Sequence, residues 1–100
     1  MKGVLIGACH KRGEFTDDNG RLVPYDNLVL YLQKPIENSN LDDRYCEGVG
    51  FTTVEAKTPW SNFANVFNTK VKNLGELEGY VGTEIKYFFD DKKKLDTVII

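Results

Sequence analysis

The sequence predicts an all-β domain of five strands with one short helix, in the order strand, strand, strand, helix, strand, strand. Three observations carry this expectation. Apolar and polar residues alternate over most of the chain, the period of a half-buried strand. Clusters of turn formers, Asp17 to Gly20 and Asp90 to Lys94, divide the alternating runs. One stretch alone, from Trp60 to Phe67, repeats its apolar residues at helical spacing.

The first strand is expected from about Lys2 to Thr16, with Val4, Ile6 and Ala8 alternating with Leu5, Gly7 and Cys9. Gly7 and Gly13 mark places where a long strand bulges or bends, as the strands of a small barrel must. Asp17-Asp18-Asn19-Gly20 is a hairpin signal, because Asn-Gly accepts the positive φ angles of a primed turn. A second strand follows from Arg21 to Lys34, in which Pro24 belongs at an edge or a bulge. Leu28, Leu30 and Leu32 fall on one face and Asn27, Val29, Tyr31 and Gln33 on the other. Pro35 ends the strand, and residues 36–47 read as a polar, acidic loop.

Residues 48–58 form the third strand. Thr58 is a natural helix N-cap with Pro59 in the first turn, and Trp60, Phe63, Ala64, Val66 and Phe67 give the helix a core-facing stripe that stops at Asn68. Residues 69–80 link it to a second hairpin, in which Ile85, Tyr87 and Phe89 alternate with Lys86 and Phe88. That hairpin turns at 90–94 and ends with a strand from Leu95 to Ile100. Five strands with a helix between the third and fourth is the order of the OB-fold barrel. An SH3-like barrel and a five-stranded α+β sheet are the alternatives.

One hundred residues make a single domain, 1–100, with room for one core and none for a separate catalytic layer. The longest apolar run, Leu28 to Leu32, is five residues, too short to span a membrane. Lys2 followed by a short apolar run imitates an export signal. Gly7 and the His10-Lys11-Arg12 sequence break that run, so the segment reads as a strand and the protein as cytoplasmic. Cys9 and Cys46 would then stay reduced. With one histidine, His10, and no CxxC pair, no metal or other cofactor is expected.

The net charge of −2 argues against a strongly electrostatic polyanion binder, but charge is unevenly spread. Residues 1–35 carry five basic and four acidic side chains, residues 36–57 two and five, and residues 58–100 six of each. A local basic groove is enough to bind a single strand.

No catalytic motif appears, and the paired carboxylates at 17/18, 42/43 and 90/91 all fall in predicted turns, so no enzyme is expected. The remaining signal is aromatic. Tyr25 and Tyr31 lie six residues apart and share the face opposite the leucines if Pro24 causes no bulge. Exposed rings of this kind stack bases, and Lys11, Arg12, Arg21 and Lys34, with Arg44 and Lys57 beside the third strand, could follow phosphates.

The segment Gly13 to Leu32 resembles the corresponding hairpin of filamentous-phage single-stranded DNA-binding proteins of the gene-five type. The resemblance rests on a polar turn with glycine, a basic residue at Arg21, the Pro24-Tyr25 pair and a second tyrosine at Tyr31, two residues nearer than in that family. Together with residues 77–100, which look like the last two strands of many OB-folds, it covers about half of the chain. It implies sequence-independent, cooperative binding of single-stranded DNA by a homodimer in phage replication or plasmid transfer, without a small-molecule substrate. The expected nucleic-acid-binding residues are Tyr25, Tyr31 and Phe51 as stacking platforms and Lys11, Arg12, Arg21 and Arg44 as phosphate contacts. The competing expectation is a small protein-interaction module, a phage or mobile-element accessory protein, using an exposed edge strand or the acidic loop 36–47. An enzyme of unfamiliar type is the third.

Overall fold

Two long strands organise the molecule. In the computed structural model, which describes residues 1–100, β1 (Lys2–Thr16) and β2 (Leu22–Pro35) run antiparallel along their whole length. Two short strands follow, β3 (Ser39–Leu41) and β4 (Arg44–Cys46), then β5 (Phe51–Pro59). A 3-10 turn (Trp60–Asn62), one turn of helix α1 (Phe63–Val66) and a second 3-10 segment (Leu74–Tyr80) lead to β6 (Glu84–Phe89) and β7 (Leu95–Ile99). The five longer strands form one antiparallel sheet in the order β5-β2-β1-β6-β7, and β3 and β4 pair only with each other.

The mostly β architecture follows the alternation in the sequence, but three expectations are corrected. First, the sheet does not close into a barrel. Its edge strands β5 and β7 approach each other without hydrogen bonds between them. Second, the element order gains a hairpin: Asp42 and Asp43 turn the acidic loop back on itself and pair β3 with β4. Strands of three residues are too short to show a period. Third, the helix is shorter and begins later. Thr58 and Pro59 belong to β5, paired with Leu28 and Asn27, and the Thr58 hydroxyl is buried, accepting a hydrogen bond from Asn62. Ladder pairing wins over the local capping signal. Residues 69–80 also hold more order than a link, because Asn73 caps the second 3-10 segment by accepting from the Glu76 amide.

The core lies on one face. Leu28, Leu30 and Leu32 of β2 meet Leu5 of β1 and Ala56 of β5, and Phe63, Val66 and Phe67 cover them. Val71, Leu77, Ile85, Tyr87, Leu95 and Val98 complete the cluster. Strict alternation would put Leu5 and Ala8 on opposite faces. The register shift between Leu5 and Gly7 supplies one extra residue, Ile6, so that both face the core. The glycine signal therefore marks a bulge at Gly7, whereas Gly13 lies in unbroken register.

The two hairpin turns are copies of each other. Asp17 Oδ1 accepts from the amides of Asn19 and Arg21, and Asp90 Oδ1 from those of Lys92 and Lys94. In each turn the fourth residue, Gly20 or Lys93, has a left-handed backbone, with φ of 79° and 63°. Asn19 is not among the residues with positive φ, so the first turn is not the primed two-residue turn that Asn-Gly suggests. The Asp17 side chain takes over the turn amides instead.

The β1–β2 hairpin outruns the core. Between Lys11 and Asp26 no residue is buried, and only Gly13, Asp17 and Val23 are half-buried. β5 starts pairing with β2 only at Asn27. This free arm helps to make the molecule broad and thin, with extents of 40 × 39 × 21 Å and a radius of gyration of 15.6 Å. About 13 Å is usual for a chain of this length.

Candidate nucleic-acid interface

The pleat sorts the candidate residues. Register along β1 and β2 is continuous from Thr16 opposite Leu22 to Gly7 opposite Tyr31, so Pro24 causes no bulge and Tyr25 and Tyr31 share the face away from the leucines. Lys11 and Phe15 of β1 join them, as do Phe51 and Lys57 of β5. Arg12 does not. It stands opposite Asp26, on the other side of the sheet from Lys11. Arg21 sits at the end of the turn, and Arg44 is on the separate β3–β4 hairpin, outside the main sheet.

Each tyrosine is paired with a glycine across the ladder. Tyr25 is opposite Gly13 and Tyr31 opposite Gly7. The missing side chains leave room for the rings to lean over β1: the Tyr31 ring comes within 3.7 Å of where a Gly7 Cβ would stand. Phe15 and Tyr25 have ring centroids 6.4 Å apart and planes tilted by 35°, a weak contact that leaves both rings open to solvent.

Lys11 stands between the two tyrosines along the face and reaches Tyr31. Its Nζ lies 5.7 Å from the centre of the Tyr31 ring, within cation–π range. Interaction with the Tyr31 hydroxyl, first as a hydrogen-bond partner and then through its charge, raises the Lys11 pKa above the ordinary lysine value. Lys11 is therefore fully cationic at neutral pH. The Cys9 thiol, 3.8 Å away, is a weak donor to the same hydroxyl. Lys11, Phe15, Tyr25, Asn27, Val29 and Lys57 line a shallow groove of about 310 Å³. Val29 is buried and Asn27 half-buried. Lys57 is 3.3 Å from the Glu55 carboxylate on the same strand, and both side chains are exposed.

Phe51 stands at the far end of the face, opposite Pro35 and 63% exposed, separated from the groove by Thr53 and Glu55. The sequence-based choice thus holds three residues that share the face near the groove or along it, Lys11, Tyr25 and Tyr31, with Phe51 more distant. It omitted Phe15 and Asn27, and it named Lys57 as a phosphate follower without keeping it in the final set. Their signal was parity: once Gly13 faces Tyr25, every second residue of β1, β2 and β5 joins that face.

The opposite face of the arm is closed by a different cluster. His10 is hydrogen-bonded to Asp26, and its ring stacks on Trp60 at 3.7 Å and 6°. Trp60 continues to Phe63 and Phe67, with centroid separations of 4.9 and 5.1 Å. His10 thereby anchors the root of the arm to the core. No group of three or more His, Cys, Asp or Glu side chains is arranged to hold a metal ion. No helix is long and apolar enough to cross a membrane.

No protein-family model, curated protein or solved structure matches this chain.

Proposed function

We propose that the protein binds single-stranded DNA, without catalysis and without sequence preference, along the outer face of β1, β2 and β5. The observation that carries this reading is that exposed Tyr25, Phe15 and Lys11 and half-buried Tyr31 share one face, with a groove beside them. Bases stack on exposed rings regardless of identity, and lysines beside the rings track phosphates.

The connectivity supports the same reading. Taken alone, the five long strands are ordered third, second, first, fourth, fifth, and their outer two approach each other. This is the order of an OB-fold opened between its third and fifth strands. OB-folds bind oligonucleotides on the face of their second and third strands, which here are β2 and β5. The resemblance to gene-five-type proteins adds a role in phage or mobile-element DNA replication or transfer, in the cytoplasm.

Titration of intrinsic fluorescence with oligo(dT) at two salt concentrations tests the proposal. The expected result is quenching with an affinity that falls as salt rises. Absence of binding at low salt overturns it. Tyr25→Ala and Tyr31→Ala should each weaken binding by about 1–3 kcal/mol. Arg12→Ala, on the opposite face, should leave the stacking component unchanged.

A further inference from the structure

One long edge of the sheet is open. β1 pairs with β2 over its whole length, but on its other side it meets β6 only at Lys2, Gly3 and Val4. Leu5 is closed off by backbone bonds to Gly82 and Thr83. From Cys9 to Thr16 no strand lies alongside, and no backbone bond outside the β1–β2 ladder involves these residues.

The turn fixes which amides face outward. The Asp17 amide donates to the Arg21 carbonyl, so these two form a hydrogen-bonded pair. Such pairs alternate along an antiparallel ladder. The odd-numbered residues of the arm therefore bond to β2, and His10, Arg12, Glu14 and Thr16 turn their N–H and C=O groups to the open edge. Pro24, which has no N–H, lies opposite Glu14, in a non-bonded pair as this phase requires.

We propose that this edge pairs with the same edge of a second copy of the chain, antiparallel, across a two-fold axis at Gly13. A two-fold axis normal to the sheet keeps each face on its own side, so only residues of like parity oppose each other. Centring the pairing on Lys11, Arg12 or Glu14 would set a charge against its own copy. Centring it on Gly13 puts Arg12 opposite Glu14 of the second copy, twice over, with Lys11 opposite Phe15 and His10 opposite Thr16. The Arg12–Glu14 and His10–Thr16 pairs are also those whose amides point outward, and each exchanges two backbone hydrogen bonds. Charges on an edge strand ordinarily prevent pairing. Here their order around Gly13 makes the edge complementary to itself. The same pairing continues the Phe15–Tyr25 face across the axis.

Sedimentation of the full chain without nucleic acid tests this, independently of any oligonucleotide binding. The unaltered chain should be a dimer. Glu14→Arg and Arg12→Glu each place like charges opposite one another twice, and each should raise the dimer dissociation constant at least about tenfold. An equimolar mixture of the two variants should dimerise again, because two carboxylates on one copy meet two guanidinium groups on the other. Glu14 faces Pro24 and no charge within its own chain, so Glu14→Arg retains the fold, which circular dichroism would show. A monomeric unaltered chain, variants that dimerise as it does, or a mixture that stays monomeric overturns the proposal.

Discussion

The Tyr25 hydroxyl lies over Gly13, 2.6 Å from the position a Cβ on that glycine would take. The ring can rest on β1 only because residue 13 has no side chain. Gly13→Ala should therefore lift the ring, which is free to swing into solvent. The expected stability change is small, within about 1 kcal/mol, since alanine suits a strand better than glycine. Oligo(dT) affinity should nevertheless fall as far as it does for Tyr25→Ala. Equal affinities for Gly13→Ala and the unaltered chain would show that the ring's seat is irrelevant to binding.

A carboxylate beside the groove works against its proposed ligand. Glu55 is the partner of Lys57, at 3.3 Å, and an exposed pair of this kind is only weakly bound. Glu55→Gln should free the lysine for phosphate and raise low-salt affinity for oligo(dT) by up to roughly fivefold. Lys57→Ala should lower affinity and flatten its logarithmic salt dependence by roughly one unit of slope. Opposite signs for the two variants are the signature to measure.

The twin turns make a paired stability prediction. Gly20 and Lys93 occupy the same left-handed position, but only glycine does so freely. Lys93→Gly should stabilise the fold by up to about 1 kcal/mol, and Gly20→Ala should destabilise it by about the same amount. Denaturant midpoints read both, and no gain for Lys93→Gly would mean that another contact sets its backbone.

Tyr87 gives a pH dependence with a definite sign. Burial, and secondarily the charge of Glu37, raises its pKa above the ordinary 10.0. Its neutral form is favoured in the folded chain, so its contribution to stability is complete below pH 10.0. That contribution is lost as pH rises through the folded value, because the unfolded phenol ionises first. Tyr87→Phe should remove this alkaline decline while changing little at pH 7, as followed by urea denaturation between pH 9 and 11.

What could be read from the sequence was mainly what is local. The leucines at 28, 30 and 32 declare their face by alternation, and Asp17 and Asp90 declare turns through their own side chains. Tyr25 and Tyr31 could be placed together because an even spacing on a strand means one face. The same rule separates Arg12 from Lys11, since adjacent strand residues point to opposite sides. Choosing both for one interface overlooked parity. Barrel closure was not legible, because it depends on whether β5 and β7 bond across the ends of the sheet. Nor was the start of α1. Thr58 and Pro59 carry a helix-start signal, and only the distant Leu28 and Asn27 hold them in a ladder.

The arm's isolation also orders the way the molecule opens. Between Lys11 and Asp26 the backbone is held by one ladder and one turn, with no side chain buried there. Amide hydrogens in this stretch should exchange at a far lower opening free energy than those of Leu30, which is fully enclosed. Under the proposed function, DNA bound at Tyr25 would have to order this ribbon, and part of the binding energy would go into that ordering. The proposed point of contact is thus the least protected part of the chain, and occupancy would register as slowed exchange along the arm while the core stays silent.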